Sequence, residues 1–313
     1  MSGPGVLFEI TRRCNRSCPY CYNRDRGEPS AEDLAAPRIE ALLDGLCAAD
    51  VSEVTLIGGE PLTVPTLQDV VRRFARRNLR VGLSTNALEL DTERIDELVS
   101  AGVQSFEVSL DSPDPTTHAA ITGAPGVEQV RRALLELALS PVDVTVGAVL
   151  TRMSVGEIDS LLTFCFAVGV DRLVLAQLAP VGQARGHVAD LALSDDELAE
   201  ALAAANARSA ELGITVGIGL PVEPCRIDRD RYPHLQFEAC RCGQDKWVLE
   251  PSGAVRTCEL ADAVVGNLLD RSLVEISRSA AVAMFRRTPP KPECHDCNQW
   301  RVCQGGCRFR GRS

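Results

Sequence analysis

Six short apolar, β-branched runs recur through the first two thirds of the sequence: VLFEI (6–10), VTLIG (54–58), RVGLST (80–85), SFEVSL (105–110), DVTVGAVL (143–150) and RLVLAQL (172–178). Between them lie RIEALLDGLCAA, TLQDVVRRFARR, ERIDELVSAG and VEQVRRALLELAL, whose apolar residues recur with the period of an amphipathic helix. Asp69 and Asp91 sit near helix starts, and Gly102 and Gly169 near helix ends. Strand alternating with helix specifies a parallel sheet with right-handed crossovers. Six such units are too few for a closed eight-stranded barrel, so the expected fold is α/β, an open partial (β/α)6 barrel.

Loops that follow the strands of such a sheet converge on one edge, where ligands bind. Cys14, Cys18 and Cys21 follow the first strand, GGEP (58–61) the second and STNA (84–87) the third. SLDSP (109–113) follows the fourth and TRMS (151–154) the fifth. Five polar strand ends in succession describe a site. SDDELAEALAAANARSAELG (194–213) reads as a surface helix capped by Ser194. RIDRDRYPHLQFEACRCG (226–243) is polar and aperiodic, and marks the expected boundary between a domain at 1–224 and another at 225–313.

The opening MSGPGVLFEITRR has no signal-peptide character, and no apolar run is long enough to span a membrane. A cytoplasmic location is therefore expected, where thiols stay reduced and the 13 cysteines read as metal ligands or buried apolar residues. The net charge of −10 argues against nucleic acid as a partner. Cys47 and Cys165 fall in apolar helical patterns and read as core. The rest form two groups, three cysteines at 14–21 and eight from Cys225 to Cys307. Structural zinc takes four ligands, whereas C-x3-C-x2-C supplies three with no histidine nearby. Thiolates also hold [4Fe–4S] clusters, and three of them would leave one iron open to a small molecule.

CNRSCPYC, with Tyr20 before its last cysteine, together with GGEP and SLDSPDPTTHAAITG, resembles the radical S-adenosylmethionine (SAM) enzymes. The resemblance implies that Cys14, Cys18 and Cys21 ligate a [4Fe–4S] cluster whose open iron chelates SAM. It implies reductive cleavage of SAM to a 5′-deoxyadenosyl radical, which abstracts hydrogen from an unactivated C–H bond. An electron donor of the flavodoxin or ferredoxin type is then expected. Gly58, Gly59 and Glu60 would bind the methionyl ammonium, with further contacts to SAM from Ser84, Asn86, Ser109, Asp111 and Arg152. Asp111 and Arg152 equally suit a fold-holding ion pair. Tyr20 and Tyr22 flank the cluster and would pack near adenine.

The second group reads Cys242-x10-Gly253-x4-Cys258, then Cys294-x2-Cys297-x5-Cys303-x3-Cys307. This is similar to the SPASM extension, a small cysteine-rich domain that holds auxiliary [4Fe–4S] clusters; a zinc ribbon is the alternative. KWVLEPSGAVRTC reads as a β-hairpin turning at PSG. The resemblance implies a first auxiliary cluster on Cys240, Cys242, Cys258 and Cys307, and a second on Cys294, Cys297 and Cys303. Downstream of Cys307 the sequence reads RFRGRS, without the further cysteine of the family pattern. An open iron, recruitment of Cys225 or His295, or loss of the second cluster would each follow. Cys225 matches neither spacing; a hydrogen donor to a substrate radical, an auxiliary ligand and a plain thiol remain open for it.

SPASM enzymes mostly modify ribosomally made peptides by crosslinking, epimerisation or oxidation, so a precursor peptide is the expected substrate. No peptide-recognition domain precedes the first strand, so a separate recognition protein is expected. The alternative is small-molecule tailoring, such as dehydrogenation or epimerisation of an amino sugar or aminocyclitol.

Overall fold

A computed structural model describes residues 3–23, 28–30, 32 and 34–310, the side chain of Val302 apart. Six parallel strands form its centre: β1 (Gly5–Thr11), β2 (Glu53–Gly58), β3 (Arg80–Thr85), β4 (Val103–Ser109), β5 (Asp143–Leu150) and β6 (Arg172–Gln177). Each lies within two residues of a run expected from the sequence. The helices up to residue 212 are α1 (Ala36–Cys47), α2 (Leu67–Arg76), α3 (Thr92–Ala101), α4 (Pro115–Thr122), α5 (Val127–Ala138), α6 (Ile158–Val168), α7 (Val188–Leu191) and α8 (Asp195–Leu212), and α9 (Leu273–Ser277), α10 (Ala280–Arg287) and α11 (Trp300–Cys303) follow in the C-terminal region. Asp91 caps α3 by accepting from the backbone N–H of Arg94, and Ser194 opens α8 with a reciprocal capping box to Glu197. Asp69 lies within the first turn of α2 rather than at its cap.

The sheet extends beyond six strands on both sides. β7 (Thr215–Ile218) and β8 (Leu235–Phe237) continue the parallel run past β6. β8 falls inside 226–243, where the sequence suggested a linker; three residues are too few for a readable alternation. On the other side β9 (Lys246–Leu249) pairs parallel with β1, and β10 (Ala254–Arg256) and β11 (Val264–Asn267) follow antiparallel. The expected hairpin over PSG is present as β9–β10, and it is part of the same eleven-stranded sheet.

The helices form one layer, with α1 on α2, α2 on α3, α3 on α5, α5 on α6 and α6 on α8. Under that layer Phe8, Leu56, Leu83 and Phe106 sit in register across β1–β4, each at most 1% exposed. Each such burial contributes about 1.5–3 kcal/mol. On the opposite face the same registers align Thr55 with Gly82 and Ser105, and Ser84 with Glu107 and Thr145. One face is therefore the apolar core and the other a polar lumen.

One charged network is buried where β9–β10 meet β1. Arg256 is 1% exposed and pairs with Glu9, which is 0% exposed. Its Nε donates to Glu250 Oε1 (2.9 Å) and its Nη1 to the carbonyl oxygens of Cys258 (3.4 Å), Glu259 (3.3 Å) and Ala261 (2.8 Å). Arg12 Nη2 closes the network on Glu250 Oε2 (2.8 Å) and lies 3.6 Å from Glu9 Oε2. Removing one member of a buried pair strands the other charge, at a cost of about 3–5 kcal/mol. Arg256→Met should lower unfolding stability in urea by about that much. The double variant Glu9→Gln/Arg256→Met should lie closer to wild type than Arg256→Met does. A loss under about 0.5 kcal/mol in the single variant would show that the pair does not join the strands.

Candidate functional site

The cysteine loop leaves β1 at the C-terminal edge of the sheet and lies directly on the GGEP turn. The backbone N–H of Gly59 donates to Thr11 O (2.8 Å) and that of Glu60 to Arg13 O (2.7 Å). A Cβ on Gly58 would sit 2.1 Å from Thr11 O, and one on Gly59 2.0 Å from Arg13 O. Both positions need glycine because the chain entering the cysteine loop occupies the space of a side chain.

Each part of the loop is held separately. Arg16, 4% exposed, donates from Nη1 to Ala124 O (2.5 Å) and Pro125 O (2.8 Å). The Ser17 N–H donates to Thr122 O (3.3 Å) and the Cys21 N–H to Cys18 O (3.1 Å). Gln183 N–H donates to Cys21 O (2.9 Å), and a Cβ on Gly182 would lie 2.3 Å from Tyr22 O. Arg16 and Gly182 were not singled out in the sequence. PVGQARG after β6 carried a signal for Gly182, whereas nothing marked Arg16 among the surface arginines.

The expected SAM-binding residues fall around this loop in two kinds. Glu60 is 1% exposed, and its carboxylate accepts from Thr85 Oγ1 (2.7 Å), Asn86 N–H (2.7 Å) and Leu62 N–H (3.1 Å). Burial pushes its carboxyl up, and those three donors oppose the shift. Asp111 accepts the Tyr20 hydroxyl at 2.5 Å and the Val149 N–H at 2.7 Å. Burial raises its carboxyl to about 6 despite both donors. Tyr20 and Asp111 thus clamp the cysteine loop to the strand edge. Arg152 is paired with Glu197 of α8 (3.1 Å) and donates to Ala189 O (2.7 Å) at the exposed outer side of the edge.

Asn86 and Ser109 stay at the edge. Asn86 Nδ2 donates to Asn15 Oδ1 (2.7 Å) and lies 4.0 Å from Cys14 Sγ. Ser109 is exposed at the end of β4. Ser84 instead turns into the lumen and donates to Glu107 Oε1 (3.4 Å).

The first thiol set is sulfur only. Cys14, Cys18 and Cys21 are half-buried, and burial, with the neighbouring Asp111 and Cys21, pushes the Cys18 thiol up to about 12. Among the described residues, the one group of three or more candidate ligands gathered within 4.8 Å is Cys242, Cys258 and Glu259. Cys14, Cys18 and Cys21 are spread more widely. Soft donors at that wider spacing fit a polynuclear iron–sulfur cluster better than a single ion.

Cys240, Cys242, Cys258 and Cys307 line one cavity of about 260 Å³ beside β9. Their side chains form a run in which Cys240 meets Cys242 and Cys242 meets Cys258. The buried Cys307 thiol, also near Cys240, is pushed up to about 11. Four converging thiols in a cavity suit a cluster equally well. Cys294, Cys297 and Cys303 are half-buried and near one another. Cys225 is exposed after β7. Cys165 is buried in α6 as expected, and Cys47 is half-buried at the end of α1.

Tyr22, one residue past Cys21, packs in an apolar cluster with Cys258, Leu260, Ala261 and Cys307. The segment just past the first thiol loop therefore packs into the apolar cluster that contains Cys258 and Cys307. No described helix is long and apolar enough to cross a membrane.

Both cysteine regions overlap with matches to known families. A model of the radical SAM superfamily matches residues 8–165, and one of the SPASM iron–sulfur cluster-binding domain matches 240–298. The chain is 29% identical over 312 residues to a PqqA peptide cyclase of Gluconobacter oxydans, covering 97% of this chain and 85% of that protein. It is 26% identical over 326 residues to an AdoMet-dependent heme synthase of Oleidesulfovibrio alaskensis, covering 98% and 82%. Streptococcus suis SuiB bound to precursor peptide SuiA shares the fold, with a TM-score of 0.77 at 17% identity over 98% of this chain and 72% of that one. With its superfamily match spanning half of the sequence, the chain belongs to the radical SAM superfamily, carries a SPASM domain, and has SAM and [4Fe–4S] clusters as its cofactors.

Proposed function

We propose that this enzyme modifies a ribosomally made peptide at an unactivated C–H bond by crosslinking, epimerisation or oxidation. The observation that carries the proposal is the cysteine loop, pinned at the strand edge above a polar lumen and packed through Tyr22 against a second thiol set. The similarity to PqqA peptide cyclases over nearly the whole chain supports a peptide as substrate. The heme synthase relative favours a second reading, small-molecule tailoring.

Cys14, Cys18 and Cys21 would hold the SAM-binding cluster, and Cys240, Cys242, Cys258 and Cys307 an auxiliary one. Cys294, Cys297 and Cys303 would contribute to a further cluster. When bound, the first cluster and SAM supply a 5′-deoxyadenosyl radical, after one electron from a flavodoxin- or ferredoxin-type donor. The protein's part is positioning. Gly58 and Gly59 bring the GGEP backbone against the cysteine loop, and the buried Glu60 carboxylate fixes the Thr85–Asn86 turn beside Cys14. Tyr20 and Asp111 keep the loop seated, and the lumen beneath admits the substrate. Residues 1–224 thus serve radical generation and 225–313 the auxiliary clusters.

Anaerobically reconstituted enzyme should contain about eight or more irons per chain with matching sulfide, the content of two [4Fe–4S] clusters. A stable zinc protein without iron would refute the cluster assignments. With dithionite and SAM alone it should release 5′-deoxyadenosine, and Cys18→Ala should abolish that release; unchanged turnover in the variant would refute the loop assignment. For Cys225 the proposed role is hydrogen donation to a substrate radical. Cys225→Ser should then still cleave SAM yet fail to return hydrogen to product, and a normal product from this variant removes the role.

A further inference from the structure

The auxiliary thiols share their cavity with an ion pair that the positioning of SAM does not use. Lys246 opens β9, and the turn before it ties it to Cys242. The backbone N–H groups of Gln244, Asp245 and Lys246 all donate to Arg241 O (3.1, 3.3 and 3.3 Å), and the Gly243 N–H donates to Lys246 O (3.1 Å). Gly243 takes a left-handed φ of +68°, and a Cβ there would lie 3.2 Å from Thr257 Cγ2. The turn that carries Cys242 and Lys246 therefore rests on the residue before Cys258.

From this turn the Lys246 ammonium meets Glu259 Oε1 at 3.0 Å, and the other carboxylate oxygen, Oε2, accepts from Cys258 Sγ at 3.4 Å. Ligand atoms of Cys242, Cys258 and Glu259 all lie within 4.8 Å of one another. Burial pushes the Glu259 carboxyl up, but Lys246, the Glu259 N–H and Cys258 together hold it below its ordinary value. When Cys258 binds iron its thiol proton passes to solvent, and a thiolate then lies beside a carboxylate. Two like charges so close in a partly buried site repel, and a cation next to them relieves the repulsion. The other cations lining this cavity are Arg241 and Arg308. Arg241 is paired with Asp245 (2.8 Å), and Arg308, on the Cys240 side, donates to the carbonyls of Thr288 (2.5 Å) and Arg286 (2.6 Å). Arg256 reaches the Cys258 loop through backbone carbonyls, and its charge is paired with Glu9 and Glu250.

We propose that Lys246 is the counter-ion of the auxiliary cluster on Cys240, Cys242, Cys258 and Cys307, and that it sets the reduction potential of that cluster by offsetting Glu259. This role rests on the proposed function only in taking those four thiols as cluster ligands. One-electron reduction adds a unit of negative charge at the cluster, so a neighbouring ammonium favours the reduced state and a neighbouring carboxylate opposes it. With both in place the two effects largely cancel. Removing Lys246 leaves Glu259 uncompensated beside Cys258, and removing the Glu259 charge leaves the ammonium alone.

The test is an anaerobic dithionite titration of the reconstituted enzyme followed by electron paramagnetic resonance, in which the auxiliary signal is the one that Cys242→Ala abolishes. Lys246→Met should make reduction of that cluster about tenfold less favourable, a fall of about 59 mV for one electron. Glu259→Gln should raise the potential on a similar scale, and Lys246→Met/Glu259→Gln should lie between the two single variants. Lys246→Arg, which keeps the charge, should stay near wild type, a pattern that a merely structural role would not produce. An unmoved or raised potential in Lys246→Met, or an unmoved or lowered one in Glu259→Gln, would overturn the role. If Lys246→Met binds no auxiliary iron, Glu259→Gln and Lys246→Arg decide by the same criteria. Wild type without a Cys242-dependent signal would sink the auxiliary-cluster assignment of the proposed function; such a signal without these shifts would sink the role of Lys246 alone.

Discussion

A single buried pair, Glu9 with Arg256, decides whether the two cysteine regions of this protein belong to one object. Glu9 lies five residues before Cys14, and Arg256 two residues before Cys258. Their contact and the Arg256 bonds to the carbonyls of Cys258, Glu259 and Ala261 set the auxiliary thiol loop against the strand that launches the first one. Neither charge has water within reach, so each needs the other, and β9 and β10 are bound to β1 by electrostatics as well as by the ladder. The packing of Tyr22 against the apolar cluster that contains Cys258 follows from that placement.

At the other end of β1 the constraint is steric. The chain approaches the GGEP turn so closely that Gly58 and Gly59 have no room for a Cβ, and Glu60 then turns its carboxylate inward to three donors. A carboxylate so engaged acts as a keystone for the STNA turn. Asp111 serves the same purpose from β4, with Tyr20 and Val149 as its partners. The loop that would carry the radical cluster is thus gripped by β2, β3, β4, β5 and the segment after β6. That grip is what a site needing fixed distances requires, since loops left to themselves are mobile.

Much of this was legible in the sequence. Strands β1–β6 carry β-branched runs of six to eight residues, and their ends carry the motifs, so both strand positions and the site edge could be read directly. The thiol spacing, together with GGEP and SLDSPDPTTHAAITG, carried the resemblance that pointed to the chemistry. What the sequence concealed depends on long-range contact. β7 and β8 have four and three residues, too short for a periodic signal. The partner of Glu9 is 247 positions away. Arg152 reads in the sequence as a ligand contact or an ion pair alike, because its anion partner Glu197 lies 45 positions away.

If one cooperative sheet carries both thiol sets, amide hydrogen exchange of the reconstituted enzyme should show it most directly. Slowly exchanging amides of β9 and β10 should share the protection of those in β1 and β2, and Arg256→Met should lower it at β9–β10 first. Rapid exchange of β9–β10 in wild type, with β1 and β2 still fully protected, would mean that the hairpin opens by itself and that the Glu9–Arg256 pair does not unite the two halves.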